Sequence, residues 1–160
     1  MKNVLWITIL FLFVLGCSKD DNSSPRLLGT WERSYEPVAA EIEGLNEGDY
    51  LIVSQINFSS NNTYTSLLFI IDKNNQEKLG YFSKEIGTYN VDNNMIRLKY
   101  NSWASNEENY FESVPLENLI LIKSDIEHSR SFYFENNELL LGCGELQNCA
   151  LIPYKRVILK

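Results

Sequence analysis

Four Asn-Asn pairs punctuate this chain, at Asn61-Asn62, Asn74-Asn75, Asn93-Asn94 and Asn136-Asn137. Asn enters the left-handed backbone conformation of tight hairpins more readily than most residues. Around the pairs run segments that alternate apolar and polar side chains, the mark of half-buried strands. In 49–58, Tyr50, Ile52, Ile56 and Phe58 share one face, with Ser54 as its polar member. In 95–100, Ile96, Leu98 and Tyr100 face one way while Arg97 and Lys99 face the other. Further strands are predicted at 63–71, around 89–91, and at 119–123, 130–135, 138–142 and 150–158. The stretches 88–98 and 131–141 are built alike, each a strand, an Asn-Asn pair and a strand. No fixed period runs through the chain, so this is a recurring hairpin solution and not a solenoid. Eight or nine short strands at this spacing imply an all-β barrel or sandwich. Helix is confined to excursions: a short one at 37–46, with Pro37 early and Gly44 weakening it, and a capping-box pattern at 105–108.

The chain is one domain long, with 160 residues of which 44% are hydrophobic. Near 150 residues a domain buries roughly 70% of its unfolded surface, enough for a core without metals. A net charge of −7 and the lack of a basic cluster exclude a nucleic-acid partner as the expectation.

Residues 1–16 read as a signal peptide: Lys2 supplies the basic start and 4–15 are apolar apart from Thr8. As a helix those twelve residues span about 18 Å, short of a ~30 Å hydrocarbon core. The stretch Val14-Leu15-Gly16-Cys17 resembles the lipobox of bacterial lipoproteins. That resemblance implies cleavage before Cys17, a thioether-linked diacylglycerol on Cys17 and an acylated amine, hence a stable membrane anchor. Residues 17–25 then form a flexible lipidated tether. Within it Lys19-Asp20-Asp21 resembles the acidic surface-export signal of Bacteroidota lipoproteins, implying an outer-membrane protein facing the cell surface.

The remaining 26–160 open on Leu28-Gly29-Thr30-Trp31 and close on Tyr154-Lys155-Arg156-Val157. This Gly-x-Trp start, the successive hairpins and the late Arg resemble a lipocalin-like lipoprotein domain. The resemblance implies a single antiparallel up-and-down barrel of about eight strands. It also implies that Trp31 closes one barrel end with Arg156 across its ring, a contact worth roughly 0.5–2 kcal/mol. Candidate lumen residues are Tyr50, Ile52, Phe58, Tyr89, Ile96, Leu98, Tyr100, Phe132 and Phe134. An eight-stranded barrel holds either side chains or one small ligand, and so many large residues favour a filled interior. Two functions follow as expectations: a binding module for a small apolar or amphipathic ligand, or a packed-shut structural or protein-interaction module.

No catalytic constellation or cofactor motif stands out, so the chain is not expected to be an enzyme. The lone His128, beside Asp125 and Glu127, reads as a surface or loop residue. No zinc motif is present, and Cys143, Cys149 and His128 lack a fourth ligand. The acidic pairs Glu41/Glu43, Glu47/Asp49 and Glu107/Glu108 read as a solvated face, not as paired catalytic carboxylates. Trp103, Tyr110 and Phe111 form an aromatic cluster, read as a cap on the barrel end or as a stacking platform.

With Cys17 lipidated, Cys143 and Cys149 remain as an even pair outside the cytoplasm. They are expected to form a disulfide across the last hairpin, worth roughly 2–3 kcal/mol in the chain-entropy model. Alkylation of the denatured, unreduced protein should leave both thiols unlabelled, and labelling of both would sink the pairing.

Overall fold

The computed structural model describes residues 24–37, 45–46, 48–105, 113–142 and 150–158. One helical turn, α1 (Ser24–Leu27), leads into eight strands. These are β1 (Gly29–Tyr35), β2 (Tyr50–Phe58), β3 (Thr63–Asp72), β4 (Lys78–Asp92), β5 (Met95–Ala104), β6 (Ile120–Glu135), β7 (Glu138–Leu141) and β8 (Ile152–Arg156). Each pairs antiparallel with the next and β8 returns to β1, giving a closed up-and-down barrel. Closure joins the first strand to the last and removes the two free edges that β1 and β8 would otherwise present.

The two ends of the barrel differ. At the turn end the connections β2–β3, β4–β5 and β6–β7 are short, and α1 enters there. Asn136 (φ 49°) and Asn137 (φ 65°) both take the left-handed conformation, as a type I′ hairpin requires. Asn62 (φ 61°) and Asn93 (φ 55°) serve the other two turns. Asn74-Asn75 works differently. There Gln76 (φ 62°) carries the left-handed residue, while the Asn74 and Asn75 backbone amides donate to the Asp72 carboxylate at 2.7 and 3.2 Å. At the opposite, loop end lie this β3–β4 turn and the longer connections β1–β2, β5–β6 and β7–β8. The expected helix at 37–46 and capping box at 105–108 fall mostly outside the described residues, as do Cys17, Cys143 and Cys149.

Two apolar layers fill the barrel. At the turn end Leu27, Trp31, Phe58, Tyr89, Val91, Phe132 and Leu139 pack together, with Phe134 against them. Toward the loop end Tyr50, Ile52, Ile70 and Phe82 form a second layer. A third cluster, Val53, Phe69 and Ile71, is buried on the outer face of β2 and β3, with Leu51, Leu67 and Tyr81 against it.

The seam between β1 and β8 is thin. Its backbone register consists of Trp31 opposite Arg156 and Glu32 opposite Lys155, and the Val157 amide donates to the Thr30 carbonyl at 2.9 Å. Side chains reinforce it. Trp31 is 2% exposed, its indole Nε1 donates to the Leu27 carbonyl at 2.7 Å, and the Arg156 guanidinium lies 4.5 Å from its ring centroid. Arg156 also donates to the carbonyls of Leu28 and Arg26. Gly29 (φ 112°) makes this approach feasible, because a Cβ there would be both strained and 3.3 Å from Arg156 Nη1.

Several strand boundaries differ from the sequence expectation. The strand expected around 89–91 begins at Lys78, and the one expected to end at 100 runs to Ala104. The segments 119–123 and 130–135 are one continuous strand, β6, with a register irregularity near Asp125 (φ 52°). In all three, polar residues on the inward face broke the alternation that marks a strand.

Replacing Trp31 by Ala is expected to cost on the order of 3–5 kcal/mol through lost core volume. Arg156→Ala should cost clearly less. Urea unfolding of both variants checks the order, and equal losses would contradict this account of the seam.

Candidate functional site

Between the two apolar layers the lumen holds a cavity of about 210 Å³. Its apolar wall includes Ile56, Phe58, Leu68, Ile96, Leu98 and Leu141. Its polar wall comprises Ser54, Tyr64, Ser66, Ser83, Glu85, Arg130 and Tyr154. Strand register explains the grouping. Ser66 pairs with Glu85, Leu68 with Ser83, and Ile96 with Arg130, so these side chains lie side by side on the inward face. Two larger hollows, of about 370 and 490 Å³, lie more open to solvent. Outward charged side chains contribute to them, such as Arg97 and Lys99 in the first and Glu32 and Lys155 in the second. The lumen cavity is the one whose polar groups converge on an apolar wall, as small-molecule sites do.

A chain of polar contacts crosses the lumen. Tyr64 Oη donates to Glu85 Oε2 at 3.4 Å, and its ring meets that of Tyr100 edge-on at 6.0 Å. Gly87 sits between these tyrosines in the register, and a Cβ there would fall 2.6 Å from the Tyr100 Cα. The Tyr100 ring in turn meets His128 at 5.2 Å. Arg130 Nε donates to His128 Nε2 at 3.1 Å, which makes that nitrogen of the imidazole the unprotonated one. Across the cavity Ser54 and Tyr154 share a hydrogen bond of 3.0 Å.

These groups are perturbed in opposite senses. Burial raises the Glu85 carboxyl above its ordinary value, with Arg130 and the Tyr64 hydrogen bond partly opposing. Burial, then the neighbouring Arg130 charge, lowers His128. Burial is also the main cause that raises Tyr64 and Tyr100. The ion pairs among the described residues, such as Lys99 with Asp125 and Glu127, lie on the exterior. Glu85 and Arg130 do not join them, nor do they pair with each other.

The expected lumen residues all occupy the interior, in different places. Phe58 and Leu98 line the cavity, as does Ile96. Tyr89 and Phe132 are buried in the turn-end layer, and Phe134 and Tyr100 are packed against it. Tyr50 and Ile52 belong to the loop-end layer. The interior is thus filled at both ends and open between them. His128 is not a surface or loop residue: it lies half-buried within β6, against Tyr100 and Arg130. Sequence reasoning missed Glu85, Arg130, Tyr64 and Tyr154. One signal was available for Arg130, which has the same parity as Phe132 and Phe134. Trp103 projects outward from β5 with the Lys84 ammonium 4.9 Å from its ring. Tyr110, Phe111, Glu41, Glu43, Glu47, Glu107 and Glu108 lie outside the described residues.

Comparison of the chain with protein-family models, curated proteins and solved structures finds no match. Among the described residues no three or more His, Cys, Asp or Glu side chains group as a metal site would.

The raised Glu85 carboxyl has a consequence for stability. Between its unfolded value near 4.5 and its higher folded value, the native state holds more protons than the unfolded one. Stability from this group is therefore full at low pH and falls as pH rises through that window. Glu85→Gln, which can still accept the Tyr64 hydrogen bond, should abolish the fall. Thermal unfolding of both proteins from pH 4 to pH 8 checks it: the variant's advantage should grow with pH.

Proposed function

We propose that this protein is a lipid-anchored, lipocalin-like binding module of the outer membrane, facing the cell surface, that holds a small amphipathic ligand in its lumen. The observation that carries the ligand reading is the 210 Å³ cavity, with one wall apolar and the other built from serines, tyrosines, Glu85 and Arg130. A barrel serving only as a packed-shut scaffold has no use for inward charges, because each is costly to desolvate without a partner. At 210 Å³ the cavity falls below the roughly 300–1,000 Å³ of drug-sized sites, so the ligand is compact.

The anchor reading rests on Val14-Leu15-Gly16-Cys17, and its geometry is consistent with the fold. Cys17 precedes Ser24 by seven residues, which reach at most about 25 Å when extended. Ser24 begins α1, beside Trp31 and Arg156 at the turn end. An anchor there sets the turn end toward the bilayer and the loop end away from it.

Native mass spectrometry of protein purified from its own host tests the ligand. A non-covalently held small molecule at one per chain is expected, and a uniformly bare chain would count against the proposal. Cys17→Ala should abolish incorporation of labelled fatty acid, and continued labelling would refute the anchor.

A further inference from the structure

We propose that the lumen site takes a small zwitterion with one apolar branch, of the size and chemistry of an apolar α-amino acid, its carboxylate on Arg130 and its ammonium on Glu85. This rests on the lumen being a ligand site, and it specifies what that ligand must carry.

Arg130 and Glu85 line the same cavity. Arg130 commits Nε to His128, and among the described residues its two terminal nitrogens have no hydrogen-bond or ion-pair partner. A guanidinium so held offers a fork suited to two carboxylate oxygens. Among the described residues Glu85 accepts one hydrogen bond, from Tyr64, and faces no cation within ion-pairing distance. Two groups of opposite charge thus flank one small space without forming a direct ion pair. A ligand that is only an anion satisfies Arg130 and is repelled by Glu85. A ligand that is only a cation does the reverse. A zwitterion satisfies both. Burial already holds the Glu85 carboxyl above its usual range, and a ligand ammonium beside it would oppose that shift.

The apolar wall sets the rest of the molecule. Ile56, Phe58, Leu68 and Leu98 offer contact to a branched or ring side chain. A cavity of about 150 Å³ holds benzene, so 210 Å³ takes an apolar branch of that order with its polar end.

Isothermal titration of the full-length protein with four probes tests the assignment. L-leucine carries both charges, 4-methylpentanoate lacks the ammonium, 3-methylbutylamine lacks the carboxylate and 3-methylbutanol lacks both. Leucine should bind at least about tenfold more tightly than any other probe, since one charge-assisted contact is worth about that factor. In Arg130→Gln leucine should bind no better than the amine, and in Glu85→Gln no better than 4-methylpentanoate. Near-ultraviolet circular dichroism shows whether each variant keeps its packed lumen, and the probe series on the unaltered protein decides the matter if one does not. If 4-methylpentanoate matches leucine, the site is a plain anion site and the zwitterion is overturned. If the alcohol binds and leucine adds nothing, the charges do not recognise ligand, although the lumen reading stands. If no probe binds, this assignment falls, and the native mass spectrum of the host-purified protein decides whether the lumen reading stands.

Discussion

The meeting of Trp31 and Arg156 closes the barrel, and the rest of the architecture depends on that closure. Seven of the eight strand junctions join neighbours in sequence, four of them through tight turns. The eighth joins residues about 125 apart in the chain, Trp31 and Arg156, through a two-pair backbone register. A junction of that kind carries the largest loop-closure entropy and the fewest ladder hydrogen bonds. The indole supplies buried area, and the guanidinium covers its face while donating to two carbonyls of the incoming chain. Cation–π attraction, apolar contact from the Arg stem and two charge-assisted hydrogen bonds therefore act at one place. Without them the sheet would have two open edges, and its largely apolar interior would face water.

Closure gives the lumen its electrostatic character. An eight-stranded barrel has an interior about as wide as facing side chains can fill. Here large apolar residues fill it at both ends: Trp31, Phe132 and Leu139 at the turn end, and Tyr50, Ile70 and Phe82 at the other. Between them serines are too small to meet across the axis, and the cavity remains. The polar groups beside it lie in a medium less polarisable than water. Glu85 and His128 respond as desolvation requires, the first shifted toward its neutral acid and the second toward its neutral base. The Arg130 guanidinium acts electrostatically on Tyr64, Glu85, Tyr100 and His128.

The features of the fold that were legible in the sequence are those where one face is apolar and the other polar. β2 is the clearest, with Tyr50, Ile52, Ile56 and Phe58 inward and Gln55 and Asn57 outward. The turns were legible because Asn61-Asn62, Asn93-Asn94 and Asn136-Asn137 include residues of positive φ. Legibility failed at the site itself. In β4 the inward positions include Ser83, Glu85 and Gly87, and in β6 they include His128 and Arg130, so both faces look polar and the strand signal vanishes. In β3 the opposite happens, because Phe69 and Ile71 are buried outside while Ile70 is buried inside. A strand that builds a polar cavity necessarily hides from a pattern that looks for apolar alternation.

By itself the sequence determined the all-β class, the antiparallel hairpin connectivity and the likeness of its ends to a barrel-closing Trp and Arg. These follow from local chemistry: side-chain alternation, turn-forming Asn residues and residue types at recognisable positions. Only the tertiary structure decided that Tyr64 on β3, Glu85 on β4 and Arg130 on β6 face one cavity, and that His128 lies inside the barrel. These residues are remote in sequence and share no local motif. Strand register and closure bring them together, and both arise from the summed packing of eight strands, which no single segment encodes.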